Sequence, residues 1–199
     1  MKLFYSTTSP FARKVNMLLH YTGLIEQTEL LATSFESEEL REFNPLGKLP
    51  ALVDGATRLF DSPLICEYLD EKYEESGKPS LFHCGKADYY HIQSAHALAD
   101  GILDAAVATA MENRRDTEKS AYWLERWQKA LQAGIRHANL RALGDTNQVN
   151  IATISTMAAL GYLDFRLDHY NWRSWNSELA DWQQQLAAET WVLATAPKE

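Results

Sequence analysis

Apolar and polar positions alternate quickly in the first part of the chain and recur with helical period in the rest. Lys2-Leu3-Phe4-Tyr5 is a brief run closed by turn-forming Ser6, Thr7 and Thr8, which reads as a strand. Phe11, Val15, Leu18 and Leu19 then recur at helical spacing and make one apolar stripe. Ser9 suits the N-cap of that helix, Pro10 its first position and Gly23 the position past its end. Thr28 to Ala32 reads as a second strand, and Glu36 to Phe43 as a short acidic helix with a solvated face. After the turn Asn44-Pro45-Leu46-Gly47, Leu49-Pro50-Ala51-Leu52-Val53 is a strand with Pro50 at its start, where a missing N–H is tolerated. Asp54-Gly55 signals a hairpin to Arg58-Leu59-Phe60. Ser62-Pro63 repeats the cap-plus-proline signature, opening a helix with Leu64, Ile65, Tyr68 and Leu69 on one side. The predicted order is βαβαββα. Strand–helix–strand units imply a parallel pair and the hairpin an antiparallel one, hence a mixed four-stranded sheet.

Past Tyr73 the pattern changes. Glu74-Glu75-Ser76-Gly77-Lys78-Pro79-Ser80 is charged and broken by Gly and Pro, as a linker is. Beyond it only helical periods recur. Helices are expected from Asp88 to Met111, from Thr117 to Leu143, and from near Asn150 through Ile151, Ile154, Ala158, Tyr162 and Phe165. A last long helix is marked by Trp175, Leu179, Trp182 and Leu186, which suggests a bundle with an aromatic core. The fold class is therefore α/β followed by all-α, with domains at residues 1–78 and 86–199.

Composition narrows the partners. Asp and Glu number 27 against 19 Lys and Arg, a net charge of -8, which disfavours nucleic acid and anionic membrane surfaces. No apolar run is long enough for a membrane span or a leader segment. Cys66 and Cys84 do not form a CxxC pair, and they read as reduced thiols in a cytoplasmic protein.

Three segments carry candidate chemistry. Ser9 stands where a helix begins, beside unsatisfied N–H groups and the positive end of the helix dipole, so an anion such as a thiolate is stabilised there. The alternative is that Ser9 only caps its own helix. At Leu49-Pro50 a cis peptide would turn the backbone outward, leaving Leu49 to pair with an extended peptide as an added strand. An ordinary trans loop is the alternative. Asp61-Ser62 opens another helix: Ser62 and the helix start suit a carboxylate, Asp61 an ammonium, and one ligand bearing both would fit. Simple capping is again the alternative. His91 and His96 are not spaced to share one helical face, so metal binding is not expected.

In this order and spacing, Ser9-Pro10-Phe11, Asn44 to Val53, and Phe60-Asp61-Ser62 with Ile65, Tyr68 and Leu69 resemble the glutathione S-transferase family, and the likeness runs from Met1 to about Phe165. The resemblance implies a thioredoxin-like N-terminal domain and an all-helical C-terminal domain lining the electrophile site. It implies that Ser9 donates its hydroxyl hydrogen to the glutathione thiolate. Leu49 would align the cysteinyl backbone beside a cis Pro50, and Asp61 and Ser62 would grip the γ-glutamyl end. Many members carry Glu or Gln where Asp61 stands, so its contact has less reach. Phe11 is either part of the second-substrate pocket or core, and Tyr5 a rival thiol activator or a packing residue. Thr153 replaces the Asp usual after the capping residue, Asn150, of a buried helix. Asp100 and Asp104 form a solvated face or reach the ligand across a dimer, and Tyr89, Trp123, Tyr162 and Trp172 divide between cleft and core. The implied activity is conjugation of glutathione to small hydrophobic electrophiles by a cytoplasmic homodimer without metal. Peroxide reduction, or a non-catalytic glutathione-binding module, are the alternatives.

Overall fold

In the computed structural model, which describes residues 1–83, 85 and 88–198, the first apolar runs pair as one sheet. β1 (Lys2–Tyr5) lies parallel to β2 (Glu29–Ala32) and antiparallel to β3 (Ala51–Asp54), which pairs antiparallel with β4 (Thr57–Phe60). The strand order is β2-β1-β3-β4. Leu3 and Phe4 are consecutive and both buried, so both faces of the sheet are covered. Phe4 packs with Leu40, Phe43, Leu49 and Ala51, under α2 (Glu38–Phe43). Helices α1 (Pro10–Thr22) and α3 (Ser62–Glu75) pack against each other, burying Val15, Leu18 and Leu19 of α1 with Ile65 and Leu69 of α3. Leu64, expected on that stripe, is 48% exposed. The order βαβαββα is the thioredoxin-like arrangement that the resemblance implies.

α1 starts and stops as its sequence dictates. The Ser9 side chain caps it, and Gly23 follows it at φ 76°, a left-handed conformation that costs glycine little. α2 begins later than expected because Ser37, not Glu36, caps it through Leu40 N–H.

The second compact unit, Gly85–Ala188, is helical, and Glu189–Glu199 groups with the first unit, Met1–Cys84. It comprises α4 (Tyr89–Asn113), α5 (Ala121–Arg136), α6 (Leu140–Leu143), α7 (Ile151–Arg166) and α8 (Ser177–Leu186). α9 (Thr190–Leu193) belongs to the first unit, where Trp191 meets Tyr21 edge-on at 6.0 Å. α7 is buried along nearly its whole length. Its Asn150 side chain accepts from Ala152 and Thr153 N–H, and Thr153 Oγ1 accepts from Asn150 N–H while donating to the Leu143 carbonyl. Threonine thus completes the capping box that an Asp would otherwise close.

Two expectations for this unit fail. The helix predicted over Thr117–Leu143 is broken, because Ser120 caps α5 through Trp123 N–H and the chain leaves the helix at His137 before α6. The aromatic residues of α5 are not core: Tyr122 is 66% and Trp123 46% exposed, and Trp123 stacks on half-buried Trp127 at 5.7 Å. Tyr162, Trp172 and Trp182 are buried in this unit instead, the indole N–H groups of the two tryptophans donating to Asp164 and to the Gly144 carbonyl. Among the described residues no helix is long and apolar enough to cross a membrane.

Candidate functional site

The register of the sheet brings the three candidate segments together. Phe4 lies opposite Ala51, and Ala51 opposite Phe60. Because β1 and β4 both run antiparallel to β3, the end of β1, the start of β3 and the end of β4 form one row at one end of the sheet. Ser9 follows the first, Leu49-Pro50 precedes the second and Asp61-Ser62 follows the third. Neighbouring strands are about 4.8 Å apart, so the row from the β1 side to the β4 side spans about 10 Å.

At the β1 position, Ser9 is half-buried with extended backbone (φ -79°, ψ 117°). Its Oγ accepts from Ala12 N–H at 3.2 Å. That bond occupies an oxygen lone pair and leaves the hydroxyl hydrogen available for donation. Capping and donation to an anion are therefore compatible in one geometry.

In the middle of the row, the Leu49–Pro50 peptide is cis. The Leu49 side chain packs on the Phe4, Leu40 and Ala51 cluster, so its position is fixed by the core. Its backbone N–H and C=O have no hydrogen-bond partner among the described residues. The loop before it is held by buried Asn44, whose Nδ2 donates to the Lys48 carbonyl at 2.7 Å and whose Oδ1 accepts from Leu46 N–H at 3.0 Å. Gly47 has φ 61°, a left-handed conformation that costs glycine little and other residues more, which explains the glycine. Lys48 is exposed beside Leu49 and adds a cation. An isolated lysine in a turn carries no motif, so Lys48 gives no signal in the sequence.

The β4 position differs from what Ser62-Pro63 suggests. Asp61, not Ser62, is the N-cap residue of α3; it has φ 74° and makes no side-chain cap bond. Left-handed backbone at a non-glycine residue costs on the order of 1–3 kcal/mol and tends to occur at functional sites. Ser62 becomes the first helical residue, and it is 1% exposed with no partner for its Oγ. A buried hydroxyl without a partner loses on the order of 1–3 kcal/mol. α1 has no acidic residue at its cap or in its first turn, so the positive end of its dipole faces this end of the sheet uncompensated, whereas α3 carries the Asp61 carboxylate at its cap.

The remaining candidates scatter. Phe11 is half-buried one residue into α1, and Tyr5 ends β1 with its carbonyl accepting from Thr33 N–H. Asp100 is not solvated: it is mostly buried and lies 3.3 Å from His96 Nε2, whereas Asp104 is exposed. His91 is exposed and takes no part in that pair. In the helical unit Tyr89 is half-buried, and Tyr162 is buried, its hydroxyl pKa raised by desolvation against the opposing influence of Arg166 and Arg114. Cys66 is fully buried, and Cys84 lies outside the described residues.

Comparison with known proteins bears on this geometry. The family model described as glutathione S-transferase, N-terminal domain, matches residues 3–77. YibF, an uncharacterized GST-like protein of Escherichia coli (strain K12), is 31% identical over 175 residues, covering 83% of this chain and 83% of its own. A glutathione transferase family member from Pseudomonas fluorescens Pf-5, crystallised with bound glutathione, is 32% identical with a TM-score of 0.91, covering 100% of this chain and 99% of its own. A glutathione S-transferase from Methylobacterium radiotolerans, in complex with glutathione sulfonate, is 29% identical with a TM-score of 0.85 over 100% of this chain and 95% of its own.

Proposed function

The chain belongs to the glutathione S-transferase family, and from that premise we propose that it binds glutathione across the sheet end and activates the thiol with Ser9. The observation that carries this reading is the order of the row. A hydroxyl hydrogen stands on the β1 side, an unpaired backbone edge at Leu49, and an unpartnered hydroxyl with a helix start at Ser62. Glutathione presents its thiol, its cysteinyl backbone and its γ-glutamyl carboxylate in the matching order. An extended peptide covers about 3.3–3.6 Å per residue, so three residues fit the row of about 10 Å.

Each part then has a chemical task. Leu49 N–H and C=O pair with the cysteinyl backbone as a short added strand. Ser62 Oγ and the α3 N-terminus take the γ-glutamyl carboxylate, and the exposed Asp61 carboxylate faces the ammonium. Lys48 supplies a cation for the glycyl carboxylate. Ser9 keeps its lone-pair bond to Ala12 and donates its hydrogen to sulfur. A free thiol of pKa about 8.5 is mostly protonated at neutral pH, and lowering it by about two units takes about 2.7 kcal/mol. A hydrogen bond to a charged acceptor contributes about 1.5–3 kcal/mol and the α1 terminus about 0.3–1 kcal/mol. Together they suffice without a separate base.

The thiol proton leaves to solvent, and the thiolate attacks an electrophilic carbon. A carbon–sulfur bond forms as the leaving group departs with its electron pair. Phe11 is read as lining the path of that electrophile, a small hydrophobic molecule. The family further supports a cytoplasmic homodimer, which size measurement in solution and cell fractionation test.

Conjugation of chlorodinitrobenzene by wild type and Ser9→Ala tests the reading. Turnover by the wild type with a large loss in the variant is expected. Glutathione binding without conjugation but with hydroperoxide reduction would reassign the chemistry, and binding without either would make the protein a glutathione-binding module.

A further inference from the structure

The last turns of α3 hold a second group of polar side chains, eight and twelve residues beyond Ser62 and so about 12 Å and 18 Å further along the helix. Asp70 is 2% exposed. Its Oδ2 accepts from Ser80 Oγ at 2.5 Å and Phe82 N–H at 3.3 Å, and its Oδ1 accepts from Leu81 N–H at 2.7 Å. These bonds fold residues 80–83 back onto the helix. His83 is fixed in turn, its N–H donating to Ser80 Oγ at 2.8 Å.

One helical turn after Asp70, on the same face, stands the exposed carboxylate of Glu74. One donor atom each from Asp70, Glu74 and His83 lies within 4.8 Å of the others. Neither carboxylate pairs with a Lys or Arg among the described residues. Like charges at this spacing repel unless a cation stands between them.

We propose that Asp70, Glu74 and His83 form a site for a divalent transition cation of the zinc class, which staples the end of α3 to the segment that follows. The donor set is one imidazole and two carboxylates, which suits zinc, whereas calcium and magnesium take oxygen alone. Asp70 Oδ1, with a single N–H bonded to it, retains a lone pair for the ion. Ligand atoms about 2.1 Å from a tetrahedral ion lie about 3.4 Å apart. Glu74 and His83 are exposed, and bringing them that close turns their side chains, His83 from a 3.3 Å contact of its Nδ1 with Ser80 Oγ. Water fills the fourth position. The site stands apart from the glutathione row and does not depend on that reading.

Zinc titration of tag-free, full-length protein, stripped of metal by chelator, tests the proposal by calorimetry, with cobalt absorption reporting the ligand field. One zinc per chain and a zinc-dependent rise in Tm are expected. Removing a group that only orients a metal ligand costs about 10–100-fold in affinity, and Glu74→Gln and His83→Gln should each cost at least that. Asp70 is left intact because its loss would release residues 80–83. No zinc binding overturns the proposal. So does binding that survives the double variant, which would place the ion on other ligands, and so does a response to magnesium with none to zinc.

Discussion

α1 and α3 both begin with Ser-Pro after a strand, and the two starts are built differently. At α1 the serine lies outside the helix and caps it, so its oxygen serves the fold while its hydrogen remains for a ligand. At α3 the serine has slipped one residue inward, Asp61 takes the cap position at positive φ, and the hydroxyl of Ser62 bonds to nothing in the chain. One start is stabilised by its serine. The other holds a strained residue and an unused polar group, both of which a bound carboxylate and ammonium would repay. A shared dipeptide therefore does not imply a shared role, and the position of φ > 0 tells the two apart.

Substitution at each start should separate those roles. Ser9→Ala is expected to lower kcat/KM about 10- to 100-fold, the loss of the hydrogen-bond share of the thiolate stabilisation, with little change in glutathione affinity. It should also lower stability by about 1 kcal/mol through the lost cap, read from denaturant midpoints. Ser9→Thr should recover much of both. Ser62→Ala should do the reverse. Glutathione affinity falls about tenfold or more, as for a hydrogen bond to a charged group, while stability holds or rises because no internal bond is lost. A smaller effect is expected from Asp61→Gly, which relieves the left-handed backbone and stabilises by about 1 kcal/mol while weakening glutathione binding. Asp61→Asn should lose the charge contact and keep the backbone.

The smallest effect distinguishes how the helices are anchored. α3 is tied to β3 by Asp54, which accepts from Tyr68 at 2.7 Å and pairs with Lys72 at 2.9 Å. The Tyr68 hydrogen bond, and then Lys72, lower the Asp54 pKa. A carboxyl depressed in the folded state contributes its stability above the unfolded pKa of about 4 and loses it as pH falls through the folded value. The pair is partly solvated, so about 1 kcal/mol is at stake. Asp54→Asn should flatten the fall of Tm between neutral and acid pH.

Much of the first unit was legible because its signals are local. Ser9, Pro10 and Gly23 fix both ends of α1, and Asp54-Gly55 fixes the hairpin, within a few residues each. The slip at Asp61 was not legible, since cap and first helical position differ only in backbone angle. Nor was the exposure of Trp123, because helical period shows that residues share a face and not what covers it. Asp70 and His83 meet only through the fold-back of residues 80–83, which no spacing rule encodes.

The pKa of bound glutathione, followed through the ultraviolet absorbance of its thiolate in wild type and Ser9→Ala, bears most directly on the central claim. A value about two units below the free thiol's 8.5 in the wild type, returning towards it in the variant, is expected. Equal values in the two proteins would contradict the assignment of Ser9.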